Sequence, residues 1–152
     1  MTAGILQAIW IKSARGGPML AADAAELIAD RGIVGNANQG GKRQVTIIEE
    51  EVWNDLMQRM NSTLPPSARR ANLMVRGIRL EETRGRILQV GGCRIEIFGE
   101  TDPCHQMDEA LPGLKNAMIP HWAGGAFGKV LDSGRITVSD PVSWLQLGEP
   151  AE

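Results

Sequence analysis

The sequence predicts a mainly β fold, a strongly bent sheet or small barrel with a few short helices. Three observations carry that expectation. Apolar runs are short and are separated by glycine, which occurs 18 times in 152 residues. Two of these runs flank Gly91-Gly92, the signal of a two-residue hairpin. Only one segment shows clear apolar spacing for an amphipathic helix. The length fits a single domain, taken as residues 1–148 with a tail at 149–152. A chain of this size buries about 68–70% of its unfolded surface, enough for a core without staples.

Gly4 to Ile11 opens the chain as a strand, with Ile5, Leu6, Ile9, Trp10 and Ile11. The turn signal Gly16-Gly17-Pro18 ends that region. Ala21 to Ala29 is ambiguous, because its alanines permit a helix yet it runs into Gly32-Ile33-Val34-Gly35. Gln44 to Ile48 reads as a β-branched strand. The clearest helix follows. Val52, Trp53, Leu56, Met57 and Met60 share a face, and Glu49, Glu50 and Glu51 occupy the dipole-favoured first turn. Asn61 and Pro65-Pro66 stop it.

Arg86 to Val90 and Cys93 to Phe98 form the expected hairpin, with Cys93, Ile95 and Ile97 on one side of the second strand. Cys93 is therefore read as inert packing. A helix after Pro103 runs to Pro112-Gly113. Strands at Ala126 to Leu131 and Arg135 to Val138, joined by Asp132-Ser133-Gly134, complete the order, and Asp140-Pro141 closes that unit.

Composition excludes several classes. A net charge of −2 supplies no field to recruit nucleic acid, and aromatic residues make up only 4% of the chain, too few for a base-stacking platform. Two cysteines, no signal-like N-terminus and no long apolar stretch predict a soluble cytoplasmic protein with no membrane partner. A Cys93–Cys104 disulfide is formally open, but neither compartment nor size calls for it. No clustered Cys/His spacing points to zinc. Positive charge occurs in local pairs, Lys42-Arg43, Arg69-Arg70 and Arg76 with Arg79. These read either as solvated surface or as forks converging on a small anionic ligand.

Cys104 is the residue of greatest chemical interest. Asp102 suits a helix N-cap and Pro103 the first helical position, which places Cys104 in the first turn. Unpaired N–H groups and the macrodipole favour a thiolate there, a nucleophile and soft-metal ligand. Cys104 also shares a helical face with Met107, Leu111 and Leu114, the pattern of a buried structural cysteine. Both readings stand at this point. His105, the next residue, does not face Cys104 on a helix and is a poor base for it. His121 is read either as a group that approaches the thiol or as a loop histidine beside Trp122. Gly32, Gly35, Gly40 and Gly41 bring backbone N–H groups to a phosphate or simply serve turns, and no phosphate-loop pattern is present.

Four segments, in order, resemble the MOSC domain, the module found at the C-terminus of molybdenum cofactor sulfurases. They are Asp30-Arg31-Gly32-Ile33-Val34-Gly35-Asn36, Arg43-Gln44-Val45-Thr46-Ile47-Ile48-Glu49, Arg69-Arg70-Ala71-Asn72-Leu73-Met74-Val75-Arg76-Gly77-Ile78, and Asp102-Pro103-Cys104 with Gly134-Arg135-Ile136-Thr137-Val138-Ser139-Asp140-Pro141-Val142. The early motif continues here as Asn36-Ala37-Asn38, where the family usually carries an aspartate and a basic or histidine position. A later stretch, His121-Trp122-Ala123-Gly124-Gly125, is an irregular form of a His-Gly-Gly-like segment.

The resemblance implies a distorted closed β-barrel with short flanking helices, of the pyruvate-kinase-barrel-like kind. It also implies that Cys104 is the functional thiol, either carrying persulfide sulfur or ligating molybdenum. Arg70 and Asn72, with Arg76 and Arg43, are expected to hold the phosphate of the molybdenum cofactor (Mo-molybdopterin). Three functions follow. The leading one is a sulfur carrier that receives sulfur from a separate pyridoxal-phosphate cysteine desulfurase and hands it to a molybdoenzyme or its cofactor. The second is a molybdenum-dependent reductase of N-hydroxylated compounds with Cys104 as metal ligand and a separate electron donor. The third is a non-catalytic pterin- or anion-binding module.

Overall fold

The computed structural model describes residues 4–145; the expected tail at 149–152 lies outside them. β1 (Gly4–Ile11) forms where the sequence predicts it. The ambiguous alanine-rich stretch becomes two strands, β2 (Leu20–Ala22) and β3 (Ala24–Ile28), followed by the short β4 (Gly32–Ile33). Strand pairing overrides alanine's helix propensity here: Ala25 and Leu27 alternate inward while Glu26 and Ile28 face out.

β5 (Val45–Glu49) leads directly into α1 (Glu50–Arg59), whose Trp53, Leu56 and Met57 are buried. A short 3₁₀ turn, Pro66–Arg69, precedes β6 (Leu73–Arg76). The Gly91-Gly92 hairpin joins β7 (Ile87–Val90) to β8 (Cys93–Glu100), where Cys93, Ile95 and Ile97 are all buried. Two short helices come next, α2 (His105–Ala110) and α3 (Leu114–Ala117). β9 (Ala126–Val130), β10 (Gly134–Thr137) and β11 (Pro141–Trp144) finish the described chain.

Seven strands close a barrel in the order β1-β11-β7-β8-β9-β5-β6 and back to β1, with β2 attached at the side of β1. An odd ring cannot alternate direction all the way round, so one neighbouring pair has to run parallel. That pair is β5 and β6. Parallel neighbours need a crossover, and α1 with the proline turn supplies it. The arrangement fixes Asn72 and Leu73 at the same end of the barrel as Thr46 and Ile47.

One expectation changes. The strands flanking Asp132-Ser133-Gly134 do not pair with each other: β9 belongs to the barrel, while β10 pairs with β3 in a separate three-stranded sheet. Asp140-Pro141 closes the β10 unit, where the Thr137 N–H donates to Asp140 Oδ2 at 2.8 Å. Proline is tolerated at the first residue of a strand, and Pro141 begins β11, which pairs with both β1 and β7.

The barrel interior is filled by Ile47, Leu73, Leu88, Ile95, Ile97 and their neighbours. A second cluster packs Trp53, Leu56 and Met57 of α1 against Met107, Leu114 and Met118. That satellite core anchors α2, and with it the chain around Cys104, to the barrel's outer helix.

Glu49 is buried at the position before α1 and makes no capping bond; its Oε2 accepts the Leu80 N–H at 3.1 Å. Burial, the largest influence, pushes its carboxyl pKa up. A folded-state pKa above the unfolded one means that the native protein binds more protons in that window, so stability falls as pH rises through it. Glu49→Gln keeps an acceptor for Leu80 and removes the charge. Urea unfolding is expected to show a flatter decline from mildly acidic to neutral pH in the variant than in the wild type.

Candidate functional site

A cavity of about 170 Å³ opens where the end of β1, the segments entering β5 and β6, and the chain leaving β8 come together. Of the residues expected to form a site, Cys104, Arg43, Arg70 and Asn72 all line it. Arg76 does not. It stands exposed at the far end of β6, with its Nε 3.8 Å from Glu50.

Cys104 is exposed, which sets aside the buried structural reading. It is the N-cap of α2 and not a first-turn residue: its backbone is extended, and its carbonyl accepts the Met107 N–H at 2.9 Å. Asp102 and Pro103 precede the helix. Since α2 has only six residues, the electrostatics around the thiol come from side chains and not from a macrodipole. The Cys104 Sγ lies 3.7 Å from Gln106 Oε1. Cys93 is sealed in the core, where burial pushes its thiol pKa up, and the two cysteines remain separate free thiols.

Arg69, read in the sequence only as half of a charged pair, is not among the residues the resemblance assigns to the site, yet it lies at its centre. Proline-started 3₁₀ geometry turns it inward, and it retains only 6% exposure. Its Nε donates to the Gly124 carbonyl at 2.9 Å and its Nη2 to the Thr101 carbonyl at 3.4 Å, while Nη1 meets only the Met107 sulfur at 4.0 Å. Among the described residues no carboxylate pairs with it. Burial, as the largest influence, pushes its pKa down to about 10, partly offset by the charge of Cys104 and reinforced by Arg43. The guanidinium therefore stays charged at neutral pH, buried and without a counter-ion. Isolated buried charges are costly unless something compensates them.

A second orphan sits beside it. Thr101, also 6% exposed, lines the cavity, and its Oγ1 has no hydrogen-bond partner. Buried hydroxyls are nearly always satisfied, and this one is an exception among the protein's own groups. Lys12 adds further positive charge to the lining; burial first, then Arg70 and Arg15, push its pKa down. Arg43 reaches the rim with its guanidinium 5.0 Å from the Phe127 ring centroid. Asp102 is the one carboxylate in the lining.

The remaining polar groups hold the scaffold. Asn72 accepts from the Thr46 N–H and hydroxyl at 3.1 and 3.2 Å and donates to the Trp10 carbonyl and Asn36 Oδ1 at 3.2 and 3.1 Å. Asn36 in turn accepts the Lys12 N–H at 3.0 Å. The early glycine-rich motif thus reaches the site through Asn36 and Asn38, not through a glycine cradle. Arg70 adopts a left-handed backbone (φ 65°), and its Nη2 donates to the Gly17 carbonyl, tying the β1–β2 loop across the pocket. Such strain costs about 1–3 kcal/mol and concentrates at functional sites.

His105 is exposed and outside the cavity lining. His121 is exposed as well, with Nδ1 2.9 Å from Glu81 Oε2, on a different face from the thiol's pocket. The His121-to-Gly125 stretch contributes through its glycines. A Cβ at Gly124 would lie 2.4 Å from the Thr101 carbonyl, and Gly125 combines φ +94° with a 2.2 Å clash against the Ile47 carbonyl. Only glycine lets this segment pass close enough for Gly124 to meet Arg69.

A family model for the MOSC domain matches residues 30–143. The chain belongs to the MOSC domain family. Several solved structures share its fold. YuaD from Bacillus subtilis is 21% identical with a TM-score of 0.77, over 93% of this chain and 94% of that one. YiiM from Escherichia coli is 15% identical with a TM-score of 0.70, over 96% of this MOSC chain and 70% of that protein. YiiM from Geobacillus stearothermophilus is 15% identical with a TM-score of 0.74, over 95% and 76% respectively. No curated protein matches the sequence. Among the described residues of this MOSC domain, no helix is long and apolar enough to cross a membrane.

Proposed function

We propose that this MOSC domain binds an anionic ligand in the Arg69 cavity and carries sulfur as a persulfide on Cys104. The observation that carries the reading is the meeting of an uncompensated buried guanidinium, an orphan hydroxyl and an exposed thiol at one cavity. In the loading step the Cys104 thiolate attacks the outer sulfur of a desulfurase persulfide. One S–S bond forms at Cys104, the donor's S–S bond breaks, and the donor cysteine leaves as a thiolate. No oxidant is consumed. The exposure of Cys104 admits a protein donor, and Arg69 lines the same cavity.

In this reading the molybdenum cofactor is the recipient or bound partner, and the support for it is the cationic lining of the cavity. Arg69, Arg43 and Lys12 are the residues that would hold its phosphate, and Cys104 would supply a thiol donor. When bound, that group supplies a thiophilic metal centre. A cysteine desulfurase is the required donor protein.

Treatment with a pyridoxal-phosphate cysteine desulfurase and free cysteine is expected to make the protein one sulfur heavier by intact mass, on Cys104. Cys104→Ser is expected to remain unmodified. Absence of any transfer to the wild-type chain would remove the reading.

Direct molybdenum ligation by Cys104 is the second reading, favoured by the thiol's exposure. Among the described residues no cluster of three or more His, Cys, Asp or Glu is arranged to hold a metal, so the metal's other donors would come from its own pterin. Molybdenum and pterin retained by the wild type and lost by Cys104→Ser, with reduction of N-hydroxylated bases, would select it. A ligand-binding role without turnover is selected if Cys104→Ala keeps full anion affinity and cellular phenotype.

A further inference from the structure

We propose that the same pocket accepts thiosulfate, a small sulfane-sulfonate dianion, as a direct sulfur donor to Cys104. The inference rests on the sulfur-carrier reading and names a substrate for it. Arg69 and the Thr101 hydroxyl form a buried polar end with unmet demand for an oxyanion, and the thiol stands at the open end of the same cavity. A phosphate group alone would satisfy the first feature and leave the sulfur unused. A molecule with tetrahedral oxygens at one end and transferable sulfur at the other satisfies both. The cavity's size suits it, and Lys12 and Arg43 balance its second negative charge against the single carboxylate, Asp102.

The chemistry closes without a further reagent. The Cys104 thiolate attacks the outer sulfur of thiosulfate, a Cys–S–S bond forms, and the thiosulfate S–S bond breaks with its electron pair leaving on sulfite. Negative charge grows on the departing sulfonate oxygens as that bond lengthens. With the sulfonate seated toward Arg69 and Thr101, these groups meet that growing charge and stabilise the transition state more than the ground state. A subsequent acceptor such as cyanide removes the sulfur as thiocyanate and restores the thiolate.

The test uses the full chain with thiosulfate, following sulfite release and intact mass together. The wild type is expected to gain one sulfur on Cys104 with stoichiometric sulfite, and inorganic sulfate is expected to compete. Arg69→Met is expected to lower the second-order loading rate about a hundredfold, the usual loss for one oxyanion donor. Thr101→Val guards against a folding artefact, since its lost hydroxyl bonds nothing in the fold; it is expected to load about tenfold more slowly, a single neutral hydrogen bond's worth. Loading indifferent to sulfate and to Thr101→Val would mark unspecific thiol chemistry and overturn the proposal. If the desulfurase loads Cys104 and thiosulfate does not, thiosulfate use is wrong and the carrier reading survives. If neither loads it, both fall.

Discussion

Asn72→Ala is expected to lower the free energy of unfolding by about 3–5 kcal/mol, measured by urea denaturation. The side chain is buried and has both ends engaged: its oxygen accepts twice from Thr46, and its amide donates to Trp10 and Asn36. Truncation leaves a backbone N–H on β5 and a carbonyl on β1 without their side-chain partner at the cavity wall, at about 1–3 kcal/mol each. A small cavity adds to that loss. Asn72 is thus a joint between β1, β5 and the Asn36 loop, and the damage should stay at that end of the barrel without reaching the thiol. Cys104 alkylation by a neutral reagent tests this: its rate should stay near wild type under native conditions, because α2 is anchored by a different cluster.

Arg69→Met is expected to erase stabilisation by phosphate or sulfate. A wild-type protein holding an anion at a hundred times its dissociation constant gains about 2.7 kcal/mol by mass action. Thermal unfolding with and without the anion reads this directly. In the absence of anion the variant is expected to lie near wild type, since two effects oppose each other. Removing a buried charge relieves desolvation, whereas the carbonyl of Gly124 loses its 2.9 Å donor. A wild type indifferent to both anions would show that the guanidinium is not a receptor. Retention of the full shift in Arg69→Met would place the receptor elsewhere, at Arg43 or Lys12.

The parts of the fold legible in the sequence are those where periodicity and turn chemistry agree. β1, the Gly91-Gly92 hairpin and α1 form from local pattern alone. β11 is illegible for a physical reason: four residues led by proline have no pattern of their own and become a strand only between β1 and β7. β10 leaves its sequence neighbour for β3 because pairing partners are chosen in space.

The site divides the same way. Cys104 stands out by its surroundings in the chain, and Arg70 and Asn72 by their motif. Which arginine of the Arg69-Arg70 doublet points inward depends on the φ and ψ of a single turn, and no spacing rule reports that. Arg76 follows on the strand and alternates away to solvent. Thr101 immediately precedes the cysteine motif, but only the fold reveals that its hydroxyl has no partner among the protein's own groups.

β11 has a consequence for biogenesis. It is the final staple of the ring, so a nascent polypeptide cannot seal its barrel until nearly every described residue has left the ribosome. Until then the open rims of β1 and β7 are adhesive, and chaperone shielding or prompt release decides whether newborn copies mature singly or clump.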